Sequence, residues 1–140
     1  MTTFLMTWNP DSIHGWGFDA LEREGLKPFR KNGFVELSWR LAPPYKAEVG
    51  DTAVLLKQGK RPTGIFGIGK IVEAPKIYRG SCRVKVRFTQ LINPAEEFFL
   101  TEMECRELLG DALVNSRRSG REIPQEKATR LLKALKSREF

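Results

Sequence analysis

Val49-Gly50-Asp51-Thr52-Ala53-Val54-Leu55-Leu56-Lys57, the polar run Gln58-Gly59-Lys60-Arg61-Pro62, and then Gly64-Ile65-Phe66-Gly67-Ile68-Gly69-Lys70-Ile71-Val72 decide the fold class. The first apolar run leaves a tight Gly-Asp turn, and the second is a long glycine-rich strand. A strand–loop–strand unit therefore sits at the centre of the chain. Glycine permits bulges and sharp coiling, so Gly64, Gly67 and Gly69 suit a sheet that curls. The second run also satisfies the Gly-x-x-x-x-Gly-Lys spacing of a phosphate-binding loop. Ile71, however, stands where magnesium binding needs Ser or Thr, and the bulky residues between the glycines leave no backbone N–H groups to cradle phosphate. A strand is the reading that fits.

Working outward, the hydrophobic period stays mostly at two. Phe4 to Trp8 reads as a strand closed by the turn Asn9-Pro10-Asp11. A short helix is expected over Phe18 to Arg23, ended by Gly25. Phe34 to Trp39 and Cys82 to Leu91 alternate as further strands, the latter with Arg83, Lys85 and Arg87 on a wet face. Thr101 followed by Glu104 forms a capping box that opens a helix to Leu109. Pro124 is expected at the first position of a last helix, with Ala128, Leu131, Leu132 and Leu135 on one face. The expected fold is α+β: a twisted, barrel-like, mostly antiparallel sheet with flanking short helices. The mixed order of elements rules against a doubly wound parallel sheet.

At 140 residues the chain is expected to be one domain spanning 1–140, long enough for one core but not for two. A hydrophobic fraction of 41% places it among packed proteins rather than disordered tails. Lys and Arg number 24 against 17 Asp and Glu, for a net charge of +7 and a pI near 9.7, which favours a polyanionic partner. Cys82 and Cys105 lack metal-ligand spacing, so a reduced, cytoplasmic protein is expected. No apolar stretch reaches membrane-spanning length, and the start lacks signal-peptide character. Catalysis finds no support. His14, the single histidine, is expected in a plain loop role; the cysteines read as packing residues, and Glu96-Glu97 has no partner base. No catalytic residue, metal or cofactor is expected.

A binding constellation is better supported. Trp8 and Asn9 pair an aromatic face with a carboxamide at the mouth of the first strand. Ser38 and Trp39 repeat the pattern, with Arg40 beside them. Trp offers the widest stacking surface, and Asn and Ser can read a base edge. Each Trp fits a core position as well, and Asn9 fits a bare turn role. Lys57, Gln58, Lys60 and Arg61 form one basic loop, and Arg117, Arg118 and Ser119 another; both suit a pocket rim with phosphate contacts.

These segments, in this order, resemble an EVE domain, a member of the PUA-like group that includes YTH and ASCH modules. The resemblance runs through Trp8-Asn9-Pro10, Trp39 to Asp51, Gly64 to Val72, Arg83 to Pro94 and Arg117 to Ile123. It implies a concave aromatic pocket that accepts a modified base, modified cytosine in DNA being the candidate, flipped out of a duplex or presented by RNA. It also implies a separate effector partner such as a nuclease. Two positions depart from the family pattern: Arg117 stands where nuclease-associated relatives carry Gln, and Leu56-Lys57 where stand-alone relatives carry an aromatic and a His. An RNA- or tRNA-binding module and a protein-interaction module that lost the pocket are the alternatives.

Overall fold

Alternation of apolar and polar side chains becomes seven strands, and runs with helical spacing become five helices, in the computed structural model, which describes residues 1–12 and 15–138. His14 lies outside the described residues. The strands are β1 (Thr3–Trp8), β2 (Val35–Arg40), β3 (Thr52–Lys57), β4 (Gly64–Tyr78), β5 (Ser81–Leu91), β6 (Leu100–Thr101) and β7 (Arg121–Ile123). They form one sheet in the order β2-β5-β4-β3-β1-β7, with β6 added to β4. Among the described residues only β1 and β3 run parallel, with Thr3 opposite Thr52 and Trp8 opposite Lys57; the remaining pairs are antiparallel. The fold is thus α+β, but the sheet is an open one and not a closed barrel. The Gly64–Lys70 segment is strand throughout, and Gly69 stands too close to the Arg87–Phe88 backbone for a side chain to fit.

Strand residues alternate between faces, so β1 and β3, apolar at successive positions, bury both. Phe4, Met6, Trp8, Ala53 and Leu55 point to one cluster, together with Trp39, Phe66, Val84, Val86 and Phe88. Leu5, Val54, Leu56 and Ile65 point to the other, covered by α3 (Glu102–Leu109), α4 (Asp111–Val114) and α5 (Gln125–Lys136) through Cys105, Leu109, Val114, Ala128, Leu131 and Leu135. The chain therefore builds apolar clusters on both faces of a shared sheet, where one core was expected.

The helices follow local chemistry with two corrections. α3 carries the capping box: Thr101 Oγ1 accepts from the Glu104 N–H, while the Glu104 carboxylate accepts from the Thr101 N–H at 3.1 Å. Pro124 is the N-cap of α5 rather than its first residue. Gly25 does not end the first helix. α1 (Phe18–Leu21) passes through a π-helical turn, Glu22–Leu26, into α2 (Lys27–Asn32), which stops at Gly33 with φ +80°. Leu21 and Leu26 are both buried against the sheet. An uninterrupted α-helix would set residues five apart about 140° from each other, and the wider turn brings them back to one face. The basic loop of Arg117, Arg118 and Ser119 leads into β7, whose Ile123 and Arg121 pair with Thr3 and Leu5.

Register shifts at Ile68/Gly69, Ile71/Glu73 and Glu73/Lys76 coil the β4–β5 ladder and bring β2 round toward β1. The seam is stitched without a ladder. The Trp39 indole N–H donates to the Thr7 carbonyl at 3.0 Å. The Gly120 N–H donates to the Leu5 carbonyl at 2.8 Å, and its own carbonyl accepts from the Ala42 N–H at 3.3 Å. Gly120 has φ +81°, and a Cβ there would lie 2.6 Å from Leu41 Cα. Gly33 has a similar φ, but a Cβ added there would meet nothing within 4 Å, so the two separate strain from collision. Gly33→Ala should cost about 1 kcal/mol, the left-handed penalty alone. Gly120→Ala should cost about 2–4 kcal/mol, read from urea midpoints; equal losses at the two sites would contradict a tight seam.

Candidate nucleic-acid interface

Where β1 and β2 diverge beyond the stitched seam, they leave a cleft of about 820 Å³. Its walls come from the end of β1 (Thr7, Trp8, Asn9), the edge strand β2 with the turn after it (Ser38 to Pro43, and Tyr45), and the loop Arg117–Ser119. The sequence candidates Trp8, Asn9, Ser38, Trp39, Gln58, Arg117, Arg118 and Ser119 all line it. Lys60 does not, and Arg61 lines a smaller neighbouring cleft.

Both expected stacking residues are core members as well as walls. Trp8 is 4% exposed, edge-on to Phe18 at 5.2 Å and tilted against Phe66 at 5.4 Å. Trp39 is 9% exposed and edge-on to Phe88 at 6.3 Å. Their indole N–H groups are spent on the backbone, Trp8 donating to the Trp16 carbonyl at 2.8 Å and Trp39 to the Thr7 carbonyl. So buried, they offer a ligand little ring surface and no hydrogen bond, a correction to the stacking role expected of them. Trp16 was missed from sequence. It is half-buried, lines the cleft and meets Trp39 edge-on at 6.0 Å, so all three tryptophans of the chain converge there. The signal available was its position between Gly15 and Gly17, which leaves a large ring on a loop with no neighbouring side chain to shield it.

The polar groups divide by what remains to them. Asn9 Oδ1 accepts from the Asp11 N–H at 2.9 Å, which fixes the amide so that its NH2 is the half left for a ligand. Gln58 is half-buried; its NH2 donates to the Val114 and Ser116 carbonyls at 2.9 and 2.7 Å and holds the Arg117 loop in place. Ser119 Oγ accepts from the Thr7 N–H at 3.0 Å, standing in for a strand carbonyl where the loop leaves β1. Its hydroxyl proton stays available to donate. On β2, Trp39 is buried and Ser38 exposed, so by alternation their side chains leave opposite faces and Ser38 reaches only the margin of the cleft.

Charge is unevenly spread. Arg40, Arg83, Arg117 and Arg118 line the cleft, no carboxylate does, and none of the four is in an ion pair among the described residues. Arg83 keeps the wet face expected for it, donating to the Ser38 carbonyl at 3.5 Å, and with Ser38 and Arg40 it reaches the margin of the cleft; its strand neighbours are neutralised, Lys85 by Glu73 at 2.7 Å and Arg87 by Glu36. Elsewhere no three His, Cys, Asp or Glu cluster to hold a metal among the described residues. Both thiols are buried in separate clusters, and burial pushes Cys105 up to about 12.

Lys57 is a correction. Expected at the rim, it is 3% exposed, and its ammonium donates to the Lys60 and Pro62 carbonyls, each at 2.7 Å. At the end of β3 it shares a face with Ala53 and Leu55, which draws the stem inward. It braces the loop and offers nothing to a phosphate. Desolvation lowers its pKa below 10.5, with Asp11 opposing. Because the folded pKa is depressed, the unfolded chain binds more protons as pH approaches 10.5, and folded-state stability gains with rising pH in that window. Lys57→Met lacks this component. Its stability relative to the parent protein should fall as pH rises toward 10.5 in urea titrations, and a difference that stays flat would show the amine to be solvated.

No protein-family model and no curated protein sequence matches the chain. Solved structures do. The human THYN1 protein in complex with 5-methylcytosine-containing DNA aligns with TM-score 0.59 and 16% identity over 100% of this chain and 99% of that one. The DUF55 domain of human thymocyte nuclear protein 1 gives TM-score 0.61 and 14% identity over 95% and 98%. The YTH domain-containing protein mmi1, in an RNA complex, gives 0.53 and 13% over 96% and 80%. At such identities the likeness is one of fold: this chain shares the architecture of EVE-type and YTH domains, the PUA-like group its residues resemble.

Proposed function

We propose that the protein is a non-catalytic reader of a modified nucleobase, with modified cytosine in DNA as the candidate ligand, and that the base is flipped out of its stack into the cleft. The observation that carries this is the composition of one cavity: a half-buried Trp16 against the buried Trp8 and Trp39, no carboxylate, and four arginines outside any ion pair among the described residues. Its volume of about 820 Å³ falls among small-ligand sites, which run from roughly 300 to 1,000 Å³. Aromatic rings stack on any base face, and guanidinium groups grip phosphate oxygens with paired N–H donors. A base must leave its stack to present both faces, which is why flipping belongs to the proposal.

Selectivity falls to few groups. The Trp8 and Trp39 indole N–H groups are committed, so edge reading rests on the Asn9 NH2, the Ser119 hydroxyl and Ser38 at the margin. Two of these face the ligand as donors, which suits the acceptor atoms on the Watson–Crick edge of cytosine. Both thiols are buried and desolvation raises their pKa, so neither is a thiolate at neutral pH. RNA is a second reading, favoured by the RNA complex of the mmi1 YTH domain.

The test is a binding panel of DNA duplexes and RNAs carrying plain, methylated or hydroxymethylated cytosine. Trp16→Ala removes a half-buried ring and should cost about 1–3 kcal/mol for the preferred modified base while the protein stays folded. Arg118→Ala should weaken all ligands alike and make the salt dependence shallower by about one unit of slope. Affinity that ignores salt, or a Trp16→Ala protein with full preference for the modified base, would refute the proposal.

A further inference from the structure

A second cleft, of about 350 Å³, opens beside the first and shares Asn9, Gln58 and Arg117 with it. Its character differs. No aromatic among the described residues lines it, so it cannot stack a base. It is built instead of Arg61, Arg106 and Arg117 guanidiniums, the buried Thr63 and the Asn115 amide, with Glu102 as its one carboxylate among the described residues. Glu102 is already engaged by Arg106 at 2.9 Å and by Arg61 at 3.2 Å, and the Arg106 hydrogen bond first of all holds its carboxyl below the usual range. Three cations against one anion leave the lining two charges positive.

The cations are also held differently. Arg106 is fixed by Glu102, by Asp111 at 3.0 Å and by Asn115 at 2.9 Å. The Arg61 side chain is 81% exposed, reaches Glu102 from the open side and can swing to a new anion. Arg117 has no ion pair among the described residues and stands in the wall common to both clefts. A strand whose base sits among the tryptophans must leave that cleft over some wall. This is a wall with guanidinium donors on its far side.

We infer that the second cleft binds the phosphodiester group next to the nucleotide whose base fills the large cleft. The inference rests on the reading of the large cleft as a base site, and it makes the footprint at least one nucleotide step longer than the base itself. The linkage is gripped by Arg117 from the shared wall and by Arg61, while Arg106 and the Asn115 amide form the fixed part of the floor.

The test uses short oligonucleotides with one central 5-methylcytosine, as duplex DNA and as a single strand, in which a single linkage is replaced in turn by an uncharged methylphosphonate. One linkage adjacent to the modified base should be the sensitive one, its neutralisation costing about tenfold in affinity, as loss of a charge-assisted contact does. Arg61→Gln should reduce that sensitivity severalfold, Arg117 remaining, while leaving preference for the modified base intact. Asn115→Asp keeps an acceptor for Arg106 and adds a negative charge to the cleft; it should weaken binding about tenfold with an unchanged melting temperature. If oligonucleotides bind but no adjacent linkage matters, and both variants bind like the parent, the second cleft is not a phosphate site although the base cleft stands. If no oligonucleotide binds at all, the base cleft fails and this inference with it.

Discussion

The backbone N–H and carbonyl of Gly120 hold two ends of a curled sheet together, and the cleft exists because of them. Its N–H ties to β1 at Leu5 and its carbonyl to the turn after β2 at Ala42. The backbone of Arg40 and Leu41 passes so close that only glycine fits. One residue upstream, Ser119 supplies a hydroxyl where a strand would supply a carbonyl, so the ladder on β1 ends and the chain turns outward. Closure at Gly120 and departure at Ser119 leave an opening between β1 and β2 at a fixed width. The three tryptophans sit in that opening, two of them pinned through their indole N–H groups to the backbone of the seam and of the Trp16 segment. The walls are therefore formed before any ligand arrives, which spares a ligand the entropy of ordering them.

Charge follows the same division. Some cations elsewhere on the surface have partners: Arg30 with Glu22, Lys85 with Glu73, Arg87 with Glu36 and Arg138 with Glu104. Exposed pairs of this kind add little stability. They cancel part of the charge beside the cleft, whose own cations Arg40, Arg83, Arg117 and Arg118 meet no carboxylate in its lining among the described residues. A concave, cationic surface with apolar walls focuses its field on an approaching polyanion.

Much of this was legible in the sequence wherever the cause is local. The alternation of β5 gave its buried and wet faces, Thr101 and Glu104 gave a capped helix, and Trp8-Asn9-Pro10 gave a strand ending in a turn. What depends on distant partners was not. Trp16 is placed by a hydrogen bond from Trp8 and by the ring of Trp39, neither visible in its own neighbourhood. Lys57 reads as a surface cation until carbonyls from Lys60 and Pro62 fold back over it. Arg83 shares the wet face of Lys85 and Arg87 as its alternation shows, and only its place opposite Arg40 at the margin of the cleft was not visible in its own strand. β7 is three residues long, too short for any period to show.

The central claim is that nucleic acid enters a cleft already formed at this seam. A two-dimensional NMR titration with a 5-methylcytosine-containing duplex tests it most directly, followed at the three indole N–H groups and the backbone amides. Large shifts are expected for the Trp16 indole and for the amides of Asn9, Arg118 and Ser119. The Trp8 and Trp39 indole protons should remain slow to exchange before and after binding, because their carbonyl partners are kept. Shifts confined to the outer strand face at Glu36, Lys85 and Arg87, with Trp16 unmoved, would contradict it.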